Sequence, residues 1–259
     1  MNEGLPRART LGVPLSVGSF KEHVQLMGAW GRAHHSAYVC CVNVHMCMEA
    51  HNNADFAQVL ENADLATADG MPMLRTMNGF HNLQQERVAG NDLMPALMAE
   101  AEREGLSIYL YGGKQDVLDI IVSRARSQYP KLRMAGTWSP PFRPLTPEEM
   151  DADAARISES GAHIVLVSLG CPRQERWMAA QKGKVPAVMV GVGGAFLLYA
   201  GMDTRAPKWM RDASLEWLYR FALEPGRLWK RYLITNTSFM WLYAKAKVGR
   251  MFGGKGGEQ

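Results

Sequence analysis

Short apolar segments alternate with longer amphipathic segments along most of this 259-residue chain. Apolar stretches, the first of them also β-branched, predict central strands at 38–44, 65–69, 107–111, 132–135, 163–169 and 187–192, with a short edge strand around 11–17. Helical spacing and capping residues predict helices at 20–33, 47–62, 91–104, 115–129 and 146–160, and helices that begin near 72 and 172. Strands that alternate with helices favour an α/β fold: a doubly wound, Rossmann-like and mostly parallel sheet with helices on both faces.

The last fifth of the chain has a different pattern. Residues 208–223 and 228–247 predict amphipathic helices separated at Pro225-Gly226, with tryptophans on one side and Lys and Arg on the other. Residues 205–259 hold 11 Lys and Arg against 4 Asp and Glu, so they carry +7, whereas residues 1–204 carry −3. Basic helices rich in Trp lie in membrane interfaces. We therefore predict a core at 1–204 and a C-terminal, amphipathic, membrane-binding helical appendage at 205–259; a helical cap on the core or an oligomer contact is the alternative.

Composition narrows the class of protein further. The hydrophobic fraction is 47% and the charged fraction 21%, which is ordinary for a globular protein. The four cysteines lack CxxC spacing, which favours reduced thiols, and the N-terminal residues lack the apolar region of a secretory signal. The uncharged run 185–202 contains a proline and several glycines, so it reads as a strand, a turn and a helix rather than a membrane span.

The stretch 65–90 carries the first candidate chemistry. Asp69-Gly70 follows a short apolar strand, which would place a carboxylate at the carboxyl edge of the sheet, where ligands bind in such folds. Arg87, in the next loop, would bring a guanidinium suited to a phosphate to the same edge. An acid facing such a cation suggests a transferase; an Asp that caps a helix and an Arg on the surface are the alternative.

Glycine-bearing turns follow three of the predicted strands, at 111–114, 169–172 and 191–194. Backbone amides at such turns can bind a diphosphate. None of the turns matches GxGxxG or a Walker P-loop, and glycine turns are also common in compact α/β proteins. Together on one edge they favour a nucleotide ligand.

Two arrangements resemble metal sites, and neither is persuasive. Cys41, His45, Cys47 and His51 cluster in sequence, but their spacing across a strand end is irregular for zinc. Asp151 and Asp153 resemble the DxD motif of metal-dependent sugar-nucleotide transferases, but within a helix residues two apart point to different faces. We therefore expect no metal ion. We also expect no other cofactor and no nucleic-acid partner.

A series of motifs in a fixed order closely resembles the WecG/TagA/CpsF glycosyltransferase family over about residues 38–245. The motifs are Ala68-Asp69-Gly70, Glu86-Arg87-Val88-Ala89-Gly90, Tyr111-Gly112-Gly113-Lys114, Gly170-Cys171-Pro172-Arg173-Gln174-Glu175, Gly191-Val192-Gly193-Gly194-Ala195-Phe196, Arg205-Ala206-Pro207-Lys208-Trp209 and Glu216-Trp217-Leu218-Tyr219-Arg220. The resemblance implies metal-independent, inverting transfer of a hexosyl residue from a UDP-sugar to an undecaprenyl-diphosphate-linked saccharide. It also implies a peripheral enzyme at the cytoplasmic face of the bacterial inner membrane that serves cell-surface or exopolysaccharide biosynthesis.

The resemblance also implies roles for individual residues. Asp69 corresponds to the base that deprotonates the acceptor hydroxyl, and Arg87 to the residue that steadies the donor diphosphate. Gln174 and Asn43 correspond to polar residues that orient sugar or phosphate. Substrate contacts are expected from Cys41 and from the turn glycines Gly112, Gly113, Gly170, Gly191, Gly193 and Gly194. The lipid diphosphate is expected at Arg220, Arg227 and Lys230.

Two departures from the family pattern leave the donor sugar open. Cys41 stands where many members have a threonine, and Leu197 where many have an acid. The resemblance implies UDP-N-acetylmannosamine or UDP-glucose as the donor, and a homo-oligomer stays open. Two further hypotheses are a Rossmann-type sugar-nucleotide oxidoreductase, although the chain lacks GxGxxG and a Tyr-x-x-x-Lys pair, and a non-catalytic membrane adaptor.

Overall fold

The computed structural model describes residues 4–223 and 225–252, apart from the side chains of residues 220, 225, 227–234, 251 and 252. Its centre is a six-stranded sheet in which all paired strands are parallel, in the order β4-β3-β8-β7-β5-β6. The strands are β3 (Ala37–Val42), β4 (Leu65–Ala68), β5 (Ser107–Gly112), β6 (Arg133–Trp138), β7 (Ile164–Ser168) and β8 (Val188–Gly191). The predicted doubly wound sheet is confirmed.

A two-stranded antiparallel hairpin precedes this sheet. It consists of β1 (Arg7–Thr10) and β2 (Val13–Ser16), joined by Leu11 and Gly12, which both have positive φ. The edge strand predicted around 11–17 corresponds to β2, whereas β1 and the reversal of the chain at these two residues were not predicted. The hydroxyl of Ser16 accepts a hydrogen bond from the backbone N–H of Ala66 at 3.0 Å. The hairpin therefore covers the outer edge of the parallel sheet at β4.

Helices cover both faces of the parallel sheet. They are α1 (Phe20–Arg32), α2 (Val44–Asn52), α3 (Ala54–Glu61), α4 (Met71–His81), α5 (Gly90–Glu104), α6 (Gln115–Gln128), α7 (Pro147–Glu159), α8 (Arg173–Gln181), α9 (Ala195–Tyr199), α10 (Lys208–Asp212), α11 (Glu216–Leu223) and α12 (Pro225–Phe252). Buried side chains of α2, α3, α4, α7 and α8 form the core on one face. Those of α1, α5, α6 and α9 form the core on the other.

The predicted helix 47–62 is two helices. The backbone of Asn53 is extended (φ −139°), which ends α2. The Asn53 side chain accepts a hydrogen bond from the N–H of Phe56 and so caps the start of α3. Asn43 does the same for α2 by accepting from Met46 N–H. This cap starts α2 at Val44, so the predicted strand 38–44 ends two residues early, at Val42.

The C-terminal part of the described chain is helical, but its breaks differ from the prediction. The predicted helix 208–223 is interrupted after Asp212, where Ser214 has positive φ, a conformation that an α-helix does not accept. Helix α11 ends at Leu223, as predicted, and α12 begins at Pro225, three residues before the predicted start at 228; proline is well tolerated in a first turn. Residue 224 lies outside the described residues, so the predicted separation at Pro225-Gly226 stays a prediction. Phe239 of α12 is buried in the core, and Tyr243 stacks on Phe80 of α4. Within the described ranges, no helix has the length and apolar character needed to span a bilayer.

Candidate active site

A cleft of about 400 Å³ opens at the carboxyl ends of β3, β4, β7 and β8. After β3 the chain continues into α2 on one face of the sheet, whereas after β8 it continues into α9 on the other. Adjacent strands whose connections leave in opposite directions create a crevice, which is where ligands bind in doubly wound sheets. The predicted residues that line this cleft are Cys41, Asn43, Asp69, Gly170, Gln174, Gly191, Gly193 and Gly194.

Asp69 lines the cleft and lies directly after β4. Its backbone N–H donates to the carbonyl of Val42 at 3.0 Å, which ties the end of β4 to the end of β3. Burial and the nearby Asp69 carboxylate both raise the pKa of the Cys41 thiol, which is therefore neutral. The side chain of Asn43, which also lines the cleft, is held in place because its oxygen accepts a hydrogen bond from Met46 N–H at the start of α2. A half-buried carboxylate is thus held on rigid backbone beside a neutral thiol and an oriented amide.

Gln174 is buried in the first turn of α8 and is held at both ends of its amide. Its Oε1 accepts from the backbone N–H of Gly193 at 3.1 Å, and its Nε2 donates to Oε1 of Glu175 at 2.8 Å. A Cβ on Gly191 would lie only 2.5 Å from this Nε2. The absence of a side chain at Gly191 therefore leaves room for the Gln174 amide, in addition to exposing the Gly191 backbone to the cleft.

Arg87 lies beside the cleft, in a loop that is fixed to β4. Thr67 donates its hydroxyl hydrogen to the carbonyl of Val88 at 2.7 Å. The Arg87 side chain is 15% exposed and pairs with Asp92 at 3.1 Å and with Glu216 of α11 at 3.4 Å. Glu216 lines the cleft, whereas Arg87 is not among its lining residues. The arginine is thus behind a carboxylate that faces the cleft.

Gly112 and Gly113 do not line the cleft. Both have positive φ, and a Cβ on Gly112 would collide with the carbonyl of Ser168. The N–H of Gly113 donates to this same carbonyl at 3.0 Å. The turn thus requires glycine for its contact with β7, and the predicted substrate contact of the two glycines stays a prediction.

Residues from α10, the turn after it, α11 and the middle of α12 form another wall of the cleft, and the sequence analysis missed them. They are Arg211, Ser214, Glu216, Trp217, Thr235 and Asn236. Glu216 and Trp217 belong to a motif that carries the resemblance, but no role followed from it. Thr235 and Asn236 begin a run of four uncharged polar residues, 235–238, inside an otherwise apolar and basic helix, and this run is a signal that could have identified them. The side chains of the predicted lipid-diphosphate residues Arg220, Arg227 and Lys230 lie outside the described residues.

The metal hypotheses find no support in the part of the chain that the structure describes. No group of three or more His, Cys, Asp or Glu residues there could hold a metal ion. The two aspartates of the DxD sequence are engaged separately: Asp151 pairs with Lys184, whereas Asp153 is buried and accepts from Tyr111 at 2.6 Å. Metal-independent catalysis stays a prediction.

A doubly wound parallel sheet with a polar crevice at its switch point is the architecture of a nucleotide-binding α/β enzyme. The model of the glycosyl transferase WecG/TagA/CpsF family matches residues 8–252, so the chain belongs to this family of glycosyltransferases. A relative from Bacillus subtilis (strain 168) is 33% identical over 198 residues, which are 76% of this chain and 75% of that protein. That protein is an N-acetylglucosaminyldiphosphoundecaprenol N-acetyl-beta-D-mannosaminyltransferase. The resemblance found in the motifs is confirmed.

Proposed function

We propose that this glycosyltransferase moves a hexosyl residue from a UDP-sugar to a saccharide on undecaprenyl diphosphate, with inversion. The observation that carries the proposal is the convergence of Asp69, Asn43 and Gln174 at the switch-point crevice of a chain of this family. The name of the Bacillus subtilis relative supports N-acetylglucosamine on undecaprenyl diphosphate as the acceptor and N-acetylmannosamine as the transferred sugar. UDP-glucose is the second donor to test, because Cys41 in the cleft departs from the family pattern.

In the proposed reaction, the acceptor hydroxyl attacks the anomeric carbon while Asp69 takes its proton. The bond between this carbon and the diphosphate oxygen breaks, and UDP leaves with the electron pair. A single displacement inverts the anomeric centre. Asp69 suits the role of base because it is fixed to rigid backbone yet reaches the cleft.

Negative charge that develops on the leaving diphosphate needs a cation. Arg87 is the candidate, and its planar guanidinium can bind two phosphate oxygens at once. In the described structure this guanidinium contacts Glu216 and Asp92. We propose that the diphosphate replaces Glu216 as the partner of Arg87 when the donor binds.

Because the proposed acceptor is a membrane lipid, we propose that the enzyme acts at the cytoplasmic face of the bacterial inner membrane, in the biosynthesis of a cell-surface polymer. We propose that residues 205–259 form the membrane-binding appendage and that the enzyme associates with the membrane peripherally. Large apolar side chains are exposed on this segment; they are Trp209, Trp217, Leu218, Leu223, Met240, Trp241 and Val248. Such side chains, combined with a charge of +7, suit an anionic membrane surface.

A donor screen tests the proposed function. The full chain is incubated with a synthetic N-acetylglucosaminyl diphospholipid and, in parallel, UDP-N-acetylmannosamine, UDP-glucose or UDP-N-acetylglucosamine. Mass spectrometry detects the lipid-linked disaccharide, and NMR of the product gives the anomeric configuration. One donor should give product with inverted configuration. No product from any donor, in preparations that still bind vesicles, would contradict the proposal.

A further inference from the structure

Glu175 is a buried carboxylate in the cleft for which the proposed mechanism has no role. It follows Gln174 in the first turn of α8, lines the cleft and is 0% exposed. Its Oε2 has no hydrogen-bond partner among the described residues, and no ion pair within the described ranges includes it. A buried carboxylate without a cation destabilises a fold, so packing does not explain its presence.

Glu175 decides which way the Gln174 amide points. The N–H of Gly193 donates to Gln174 Oε1 at 3.1 Å and also to the carbonyl of Val167 at 3.3 Å. Glu175 Oε1 accepts from the other end of the same amide at 2.8 Å. Rotating the amide by 180° would oppose two N–H groups at Gly193 and two oxygens at Glu175. Each contact therefore excludes the flipped orientation, and the carboxylate supplies half of this selection.

The surroundings of Glu175 are polar but contain no positive charge within the described residues. Burial raises the pKa of Glu175, while its own backbone N–H, the Gln174 amide and the Cys171 thiol lower it by smaller amounts. The titratable groups that face it are Cys171 from the preceding loop and Cys40 and Cys41 from β3. Burial raises the pKa of both β3 thiols, so these two groups are neutral. An uncharged side chain with an oxygen acceptor therefore reproduces what Glu175 offers to Gln174.

We propose that Glu175 is a positioning residue of the transfer reaction. It fixes the Gln174 amide against the glycine turn at 193, so that Gln174 meets the bound donor in one orientation. This inference rests on the proposed function, because it assigns Gln174 a contact with sugar or phosphate. Glu175 itself acts through Gln174.

Two substitutions separate positioning from packing. Glu175→Met fills a similar volume without an acceptor, and Glu175→Gln keeps an acceptor oxygen at the same place. We expect both variants to unfold at a higher temperature than the wild type near pH 8, because each removes a buried acid. We expect Glu175→Met to lose about 10- to 100-fold in kcat, as a misplaced group does, and Glu175→Gln to stay within about 3-fold of wild type.

A double-substitution cycle with Gln174→Ala supplies the decisive readout. If Glu175 acts through Gln174, adding Glu175→Met to Gln174→Ala should cause no further loss of kcat. Gln181→Ala is the control, because Gln181 is equally buried on α8 but donates to the Met150 carbonyl. This variant should lose stability and keep its kcat. Independent, multiplying losses in the cycle, or wild-type kcat in Glu175→Met, would overturn the proposal.

A spectroscopic measurement tests the inference without catalysis. In ¹⁵N-glutamine-labelled protein, the side-chain amide signal of Gln174 is identified by its disappearance in Gln174→Ala. Glu175→Met should shift this signal and speed its exchange with water, whereas Glu175→Gln should change it less. An unchanged signal in Glu175→Met would refute positioning even if no donor is turned over. A changed signal without turnover by the wild type would instead count against the proposed function alone.

Discussion

The guanidinium of Arg87 pairs with the carboxylate of Glu216 at 3.4 Å, which joins the loop before α5 to the helix α11. Asp92 receives the same guanidinium at 3.1 Å and also pairs with Arg205. The predicted phosphate-binding cation is thus held by two carboxylates, one of which faces the cleft. A donor diphosphate that binds Arg87 must compete with Glu216, so the position of α11 and donor binding are coupled.

Removing the charge of Glu216 should strengthen UDP binding. In Glu216→Gln the diphosphate no longer competes with a carboxylate for Arg87. A partly exposed ion pair contributes about 0.2–1 kcal/mol, which corresponds to about 1.4- to 5-fold in Kd. Calorimetric titration with UDP measures this directly. Glu61→Gln, which removes the charge partner of Arg9 far from the cleft, is the control and should leave Kd unchanged. Weaker UDP binding in Glu216→Gln would mean that Glu216 assists the donor rather than competes with it.

Replacing the proposed base should abolish turnover without unfolding the protein. Asp69→Asn keeps the shape of the side chain, but the amide cannot take the proton from the hydroxyl of the acceptor saccharide. The value of kcat should therefore fall about 100- to 10,000-fold. Asp151→Asn is the matched control, because Asp151 belongs to the DxD sequence and is exposed. The lipid-product assay measures both variants. Wild-type turnover by Asp69→Asn would remove the base assignment, and wild-type function of this variant in cells would favour the adaptor hypothesis.

A methyl group on Gly191 should disturb the reaction through Gln174. The Cβ of Gly191→Ala would lie 2.5 Å from Gln174 Nε2 and 2.8 Å from the Met178 methyl, so the amide must move. We expect kcat to fall about 10- to 100-fold. Gly79→Ala, in α4, is the control, because the new Cβ would have no neighbouring atom within 4 Å. This control should be active and slightly more stable. Equal activity of the two variants would show that the Gln174 position does not matter.

The parallel sheet was predictable because each central strand is a short, nearly uncharged segment between helical patterns. The positions of Asp69 and Asn43 followed as well, since both directly follow such strands. The break at Asn53 was not predicted, because residues 47–62 are apolar at helical spacing on both sides of it. Only the extended backbone of Asn53 and its cap on Phe56 reveal the second helix.

The wall formed by α10–α12 could not be predicted from residue patterns. Trp217 and Glu216 read as parts of an amphipathic surface helix, and nothing in their spacing says that they face a cleft built from strands much earlier in the chain. The pairing of Arg87 with Glu216 is likewise a tertiary contact between distant segments. Glu175 was hidden for another reason: a glutamate in a first helical turn is ordinarily a solvated partner of the helix dipole, whereas this one is buried.

The stability difference between wild type and Glu175→Gln should depend on pH. The folded state raises the pKa of Glu175 above its ordinary value near 4.5. The unfolded chain therefore loses this proton at lower pH than the folded protein does. Below about pH 4 both states hold the proton and the two proteins should be similarly stable. As pH rises, the wild type loses stability until the folded carboxyl has ionised, while the amide introduced by Glu175→Gln does not titrate.

Thermal unfolding from about pH 4 to about pH 9 should show a growing advantage for the variant. A constant difference would place the carboxylate in a more hydrated environment than the structure does.

Exposed tryptophans on the C-terminal helices should contribute to binding of anionic vesicles. Trp209 and Trp241 are 65% and 61% exposed, and Nζ of Lys245 lies 5.2 Å from the Trp241 ring centre. An indole that enters the interface beside a cation gains both apolar burial and attraction to anionic lipid. Each Trp→Ala substitution should cost about 1 kcal/mol, which is about 5-fold in partitioning. Sedimentation with vesicles rich in anionic lipid, which have a strong negative surface potential, measures this. Phe142→Ala is the control, since Phe142 is 94% exposed but lies on the loop before α7. A loss with Phe142→Ala as large as that with the Trp variants would place the membrane contact on the core instead of on α10–α12.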